Sequence, residues 1–249
     1  MAYTKSKTRH EWLIPTALVL LSVVPAIGGA ARLNDLATNP VTDENARFFS
    51  APLPILIHIP AAFLFSVLGA FQFAPGFRQR HRRWHRTAGK ILVPAALLVA
   101  LSGLWMTLRY AWAPGDGAAV YAERLIFGSA MLAAVVLGID AIRRRQFNAH
   151  GRWMIRAYAI GMGAGTQVLT HLPWFIFAEG RPGGLPRALM MGSAWVINIL
   201  VAEWIIRRGA QSQSQWVNST LSWLVGHSKP TSWQTGSTTK KPSRFSTVR

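Results

Sequence analysis

Six long apolar stretches, separated by short polar connections, constrain the fold of this chain more than any other feature. A bilayer core roughly 30 Å thick requires about 20 apolar residues of helix, and backbone polar groups in lipid must be satisfied within the spanning segment. Hydrophobic residues make up 51% of the chain and charged residues only 14%. The sequence therefore predicts an all-α fold, a membrane bundle of six transmembrane helices. The predicted spans are Leu13–Ala31, Leu53–Phe77, Ile91–Trp112, Tyr121–Ile142, Trp153–Ala178 and Ala188–Ile206.

Charge is distributed unevenly among the connections. The formal net charge is +18, from 27 basic and 9 acidic residues. If the N-terminus lies in the cytoplasm, 21 basic and three acidic residues fall on the inner side, and six of each fall on the outer side. Because Lys and Arg concentrate in cytoplasmic loops, we expect both termini to be cytoplasmic. Basic residues that flank spans also contact anionic lipid headgroups, so we expect the lipid bilayer, and no nucleic acid, as the partner.

The sequence divides into three parts. Residues 1–12 form a predicted cytoplasmic N-terminal tail, residues 13–208 a six-span membrane domain, and residues 209–249 a polar cytoplasmic tail. The last part is rich in Ser, Thr, Gln and Lys and has too little apolar content for a core, so we expect it to be disordered. The alternative is a short helix on the membrane surface near Trp216 and Trp223. The chain has no cysteine, which excludes disulfides and a thiolate nucleophile.

Four segments carry a resemblance to a known family. They are His58, Gly69-Ala-Phe-Gln72-Phe, His85-Arg86-Thr-Ala-Gly89-Lys90 and His150-Gly-Arg152-Trp-Met-Ile-Arg156-Ala-Tyr158-Ala. Over roughly residues 50–180 the chain resembles the bacterial membrane proteins grouped as domain of unknown function 2306 (DUF2306). The resemblance implies a multi-pass protein of the bacterial inner (plasma) membrane and implies no established activity. In that family an arginine is expected in the second half of span five, where this chain has Gln167 and His171.

His58 and His171 are the candidate functional residues that the sequence favours. At 1.5 Å per residue, each lies about 8 to 9 Å below the outer end of its span, so the two imidazoles share one depth. Two neutral imidazoles on opposed helices could ligate the iron of a b-type haem. The alternatives are a small-molecule or proton-coupled transporter, and a non-catalytic membrane component in which each histidine bonds a neighbouring helix.

A polar layer is expected near the same depth. Arg109 ends the third span, and Tyr121, Glu123 and Arg124 begin the fourth. These residues form either an outward-facing proton or ligand site, or an interfacial belt with a snorkelling arginine. The interfacial belt is the simpler interpretation of the sequence.

The inner connections carry a second cluster of arginines. Arg82 and Arg86 are four residues apart, and Arg152 lies in the next inner connection. We expect this cluster to bind anionic lipid headgroups or an anionic ligand. His81, His85 and His150 could supply three metal ligands by number, but the surrounding arginines would repel a cation, so no metal site is predicted there.

Two further patterns concern packing. Gly161-Met-Gly163-Ala-Gly165 lies inside a predicted span, where small residues allow helices to approach closely. No strand precedes this run, so it is not a dinucleotide-binding motif. Glu203 in the sixth span has two candidate ion-pair partners, Arg207 one turn later and Arg156 at comparable depth in the fifth span.

Overall fold

All the regular structure is helical in the part of the chain that the computed structural model describes. That part comprises the backbone of residues 3–226 and, except at Pro75, the side chains of residues 12–209. No strand occurs among these residues, which confirms the predicted all-α fold. The helices are α1 (Tyr3–Thr38), α2 (Ala46–Ser50), α3 (Leu53–Ala70) with a 3₁₀ turn at Phe71–Phe73, α4 (Pro75–Arg80), α5 (Arg82–Arg109), α6 (Ala118–Arg143), α7 (Phe147–Gly161), α8 (Gly163–Phe177) and α9 (Gly184–Gly226).

Within the described residues, five helical segments are long and apolar enough to cross a membrane. They are Trp12–Thr38, Leu53–Phe73, Arg82–Arg109, Ala118–Arg143 and Gly184–Gly209. The bundle also exposes many large apolar side chains, among them Leu20, Leu101 and Leu200, as a surface that faces lipid requires. The chain is therefore a multi-pass membrane protein.

The fifth predicted span is interrupted. The helix breaks at Met162, so the segment becomes α7 and α8, which have 15 residues each. Asn198 of α9 lies beside the break, where its amide donates to the Ala159 carbonyl at 3.0 Å and its oxygen accepts from the Thr166 hydroxyl at 2.8 Å. Each half is shorter than a full span, and a total of six crossings stays a prediction.

The glycine run around this break packs closely against three other helices, as the sequence predicts. A methyl group added to each glycine would meet a different neighbour: Gly161 would meet Phe65 of α3, Gly163 would meet Trp195 of α9, and Gly165 would meet Leu21 of α1. At Gly165 the added carbon would lie 2.5 Å from the backbone carbonyl oxygen of Leu21. Because glycine has no side-chain carbon, it permits these three close approaches at once.

The core lies between α3, α5, α6 and α7. It is rich in alanine, which lets the helix backbones approach, and its larger members include Phe65, Met131 and Tyr158. The Tyr158 hydroxyl donates to the Ser66 carbonyl at 2.6 Å, which ties α7 to α3. α1 packs on α3 and α8 at one side of this core.

At the end predicted to face the cytoplasm, a bidentate ion pair joins α7 to α9. Arg156 donates to both carboxylate oxygens of Glu203, at 2.6 and 3.0 Å. This confirms Arg156 as an ion-pair partner of Glu203.

The C-terminal part of α9 is described by itself. Residues up to Arg207 belong to the helical bundle, and Arg208 begins a separate unit. α9 continues as helix to Gly226, within the segment for which the sequence predicts either disorder or a short helix. The rest of the predicted tail, residues 227–249, lies outside the described residues.

Candidate functional site

A cavity of about 460 Å³ lies inside the bundle. Its wall is formed by α3, α5, α6, α7, α8 and α9, and it reaches α2 and the α5–α6 loop at the end of the bundle predicted to face outward. We call α2, this loop and the adjoining ends of α6 and α9 the mouth of the cavity. The volume falls within the range of about 300–1,000 Å³ typical of small-molecule sites.

The deepest part of the cavity is apolar. Val99 of α5, Met131 of α6 and Ile160 of α7 form this floor. Closer to the mouth, Phe127 of α6 stacks on Trp195 of α9 with ring centroids 4.8 Å apart, and both rings line the wall. Such a surface accommodates a hydrocarbon chain or ring.

His58 and Gln167 are two polar side chains that lie part of the way along the wall. Nδ1 of His58 lies 2.9 Å from the Ser102 hydroxyl oxygen, within hydrogen-bond distance, and the same hydroxyl contacts the Leu98 carbonyl. Gln167 of α8 lines the same cavity, and its buried Nε2 amide has no hydrogen-bond partner among the described residues.

His171 does not join His58 in this cavity. It lies one turn beyond Gln167 on α8, and its Nδ1 donates to the Gln167 carbonyl at 2.7 Å, so the ring bonds to its own helix. His171 is not among the residues that line the cavity, whereas His58 is. The arrangement therefore gives no support to a haem held between His58 and His171. Among the described residues, no group of three or more His, Asp or Glu side chains could hold a metal ion.

The mouth contains a buried carboxylate shared by two arginines. Asp116, in the α5–α6 loop, has a side chain only 2% exposed and accepts from Arg124 of α6 at 2.5 Å and from Arg187 of α9 at 2.7 Å. Burial tends to raise the pKa of Asp116, but the hydrogen bonds and charges of the two arginines outweigh it and hold the pKa below its ordinary value. Asp116 therefore stays ionised and fixes both arginines at the mouth.

A third arginine reaches the mouth from α2. Arg47 lines the cavity, and its guanidinium carbon lies 4.6 Å from the ring centroid of the neighbouring Phe48. Phe48 is buried and packs edge-on against Tyr110 of the α5–α6 loop. Within the part of the chain that the structure describes, Arg47 forms no ion pair.

The predicted outer polar layer is divided by the structure. Tyr121 and Arg124 line the cavity, whereas Arg109 and Glu123 do not. Arg109 is exposed at the end of α5. Glu123 lies against Gly192 of α9, and one of its oxygens is buried without a partner among the described residues.

The predicted inner arginines lie at the other end of the bundle. Arg82 and Arg86 lie in the first turns of α5 and Arg152 in α7, and all three are exposed. Arg86 donates to the backbone carbonyl of Arg82 at 3.4 Å. None of the three has an ion-pair partner among the described residues. The inner connection before Lys90 is largely helical in the structure, since α5 begins at Arg82.

Three charged residues of the cavity were not singled out as site residues by the sequence: Arg47, Asp116 and Arg187. The only signal for them was the mixed charge of the outer loops. Asp116 stands between Gly115, which has a φ of +83°, and Gly117, so a tight turn places its carboxylate. Pairing of this carboxylate with arginines 8 and 71 residues away depends on tertiary structure, which the sequence spacing does not reveal.

Comparison with known proteins identifies a family. The family model for predicted membrane proteins (DUF2306) matches residues 55–206, and this range contains most of the cavity wall. No curated protein and no solved structure matches the chain. Since the family match covers more than half of the 249 residues, this chain belongs to the DUF2306 family of predicted membrane proteins.

Proposed function

We propose that this protein binds a small amphipathic molecule in the bundle cavity. The observation that carries the proposal is the unpaired amide of Gln167, which lies on the wall of the same cavity as His58. An unsatisfied buried donor costs roughly 1–3 kcal/mol. A ligand that presents an acceptor to Gln167 would recover that cost, and the apolar floor would hold its hydrocarbon part.

The proposal includes a location. We place the protein in the inner (plasma) membrane with both termini in the cytoplasm, because most basic residues then lie on the cytoplasmic side. In that orientation the cavity opens outward, and the ligand reaches it from the outer compartment or from the outer leaflet.

A pair of leucine substitutions tests the proposal. Ala164 of α8 lines the cavity and is exposed, so we expect Ala164→Leu to fill part of the volume without entering the packed core. Ala133 of α6 is exposed and does not line the cavity, so Ala133→Leu is the matched control. We expect 1-decanol to bind the wild type and Ala133→Leu in nanodiscs, and to bind Ala164→Leu at least about tenfold more weakly. Equal binding to all three proteins, or to none, would refute the proposal.

A haem centre and proton-coupled transport have less support than binding. Haem ligation by His58 and His171 requires both rings at one cavity, and only His58 lines it. The purified protein from cells supplied with haem is therefore expected to lack the sharp alpha band of a six-coordinate b-type centre. Such a band, if it disappeared in both His58→Ala and His171→Ala, would restore the haem hypothesis.

We also propose that Arg82, Arg86 and Arg152 bind anionic lipid headgroups. This role is supported by two observations: the three side chains are exposed at one end of the bundle, and none has a carboxylate partner among the described residues. Replacing all three with Gln should reduce co-purified acidic lipid, whereas Arg109→Gln at the opposite end should not. Unchanged acidic lipid in the triple variant would contradict this role.

A further inference from the structure

The mouth of the cavity carries an excess of positive charge. Among the described residues that line the cavity, three are arginines and one is a carboxylate. Asp116 accepts hydrogen bonds from Arg124 and Arg187, so a single negative charge is shared between two guanidinium groups. Arg47 adds a third cation for which the described residues provide no carboxylate.

Arg47 is held close to the other charges. Burial, together with the positive charges of Arg124, Arg32 and Arg187, lowers the pKa of Arg47 below its ordinary value, although Asp116 acts in the opposite direction. A guanidinium group nevertheless remains protonated in proteins. The mouth therefore places a partly desolvated cation beside a cavity with an apolar floor.

The segment that presents Arg47 is well fixed. Asn45 is buried, accepts from the Thr42 backbone N–H at 2.6 Å, and donates to the Pro40 carbonyl at 3.1 Å. At the other side of α2, the Tyr110 hydroxyl donates to the Ala51 carbonyl at 2.6 Å. Because these bonds hold α2 at both of its ends, the backbone that presents Arg47 is preorganised at the mouth.

We infer that the cavity selects amphipaths with an oxyanion headgroup, a carboxylate or a phosphate, and that Arg47 binds that headgroup. This inference rests on the proposed function of the cavity and adds the chemical class of the ligand. The headgroup lies at the mouth, an acceptor further along the ligand meets the Gln167 amide, and the apolar end lies against Val99, Met131 and Ile160. Arginine suits this headgroup because its planar fork can make two parallel hydrogen bonds to an oxyanion.

Amphipaths that share one chain and differ only in headgroup test the inference. Decanoate, decyl phosphate, 1-decanol and decyltrimethylammonium are compared for binding to the protein in phosphatidylcholine nanodiscs. We expect the two anions to bind more tightly than the alcohol, and the cation to bind least. Arg47→Gln should weaken binding of both anions by about ten- to a hundredfold, the range for loss of a charged hydrogen bond, and leave 1-decanol unchanged.

Three controls isolate the charge at Arg47. Arg109 is exposed at the same end of the bundle and does not line the cavity, so Arg109→Gln should leave every affinity unchanged. Arg47→Lys keeps the charge and should retain part of the anion preference. Unchanged binding of 1-decanol to Arg47→Gln would show that this variant is folded and its cavity intact.

The outcomes separate this inference from the proposed function. If 1-decanol binds and Ala164→Leu blocks it, but decanoate shows no advantage or no loss in Arg47→Gln, the cavity is a binding site and the inference is wrong. If no amphipath binds the wild type, the proposed function and the inference are both wrong.

The lipid composition of the nanodiscs distinguishes two sources of the oxyanion, a membrane lipid and a free anion. Addition of phosphatidylglycerol to the nanodiscs would displace decanoate if the natural ligand is a membrane lipid with one chain inserted. It would have no effect if the ligand is a free single-chain anion.

Discussion

Gln167 is the residue at which stability and binding are expected to oppose each other. Its amide is buried without a partner among the described residues, so Gln167→Leu removes an unsatisfied donor while nearly preserving the side-chain volume. We expect the variant to unfold at the same or a slightly higher temperature than the wild type and to bind amphipaths with an acceptor more weakly. Thermal unfolding and the binding of 1-decanol, whose hydroxyl oxygen is an acceptor, measured on the same preparation test this. A clear loss of stability in Gln167→Leu would show instead that the amide supports the fold.

Asp116 is expected to make the stability of the protein depend on pH. Since its pKa in the folded protein lies below the ordinary value, the ionised carboxylate stabilises the fold above the unfolded pKa of about 3.9, and that contribution is lost as the pH falls through the folded pKa. Asp116→Asn should therefore destabilise the protein at pH 7. The loss should lie at or below the lower end of the roughly 3–5 kcal/mol found for buried pairs, because both arginines are partly exposed.

Unfolding temperatures of the wild type and Asp116→Asn across pH 3 to 7 test this sign. The difference between the two proteins should be largest at pH 7 and should shrink only in the most acidic part of the range. A constant difference at every pH would contradict the assignment of Asp116 as the titrating group.

Among the elements, the contact between α8 and α1 is the most sensitive to a single methyl group. Gly165→Ala would force a carbon against the Leu21 backbone carbonyl, which cannot move as a side chain could. We expect Gly165→Ala to lower the free energy of unfolding by about 1–3 kcal/mol. The control is Gly89→Ala in α5, where no atom beyond the adjoining residues and the backbone of its own helix lies within 4 Å of the added carbon, and alanine should stabilise that helix by up to about 1 kcal/mol. Unfolding in detergent measures both changes, and similar stabilities of the two variants would contradict the close packing of α8 on α1.

Element types were predictable from the sequence, whereas the break at Met162 was not. Apolar stretches of span length specify membrane helices whatever their neighbours are. The break depends on partners from other parts of the chain, since Asn198 bonds to both sides of it. His58 was recognised as a candidate from its depth in the span. The position of His171 outside the cavity was not predictable, because it depends on the rotation of α8, which sequence spacing does not determine.

For the whole molecule, the number and direction of the membrane crossings can be measured directly. The chain lacks cysteine, so single cysteines provide clean reporters. Gln146 lies between α6 and α7, Glu179 lies between α8 and α9, and both are exposed. If α7 and α8 together cross the membrane with both termini inside, Gln146→Cys should react with an impermeant maleimide only in broken cells, and Glu179→Cys should react in intact cells. Labelling of both from one side would contradict the sixth crossing.

Photo-crosslinking provides the most direct measurement of whether the cavity is a binding site. Decanoate with a diazirine at the end of its chain should label the cavity floor, at Val99, Met131 or Ile160, and excess unmodified decanoate or the Ala164→Leu substitution should abolish that label. The lipid-facing side chains Leu101, Ile126 and Leu200 should take up only label that does not saturate. Label confined to those lipid-facing residues, with none on the floor, would contradict binding in the cavity.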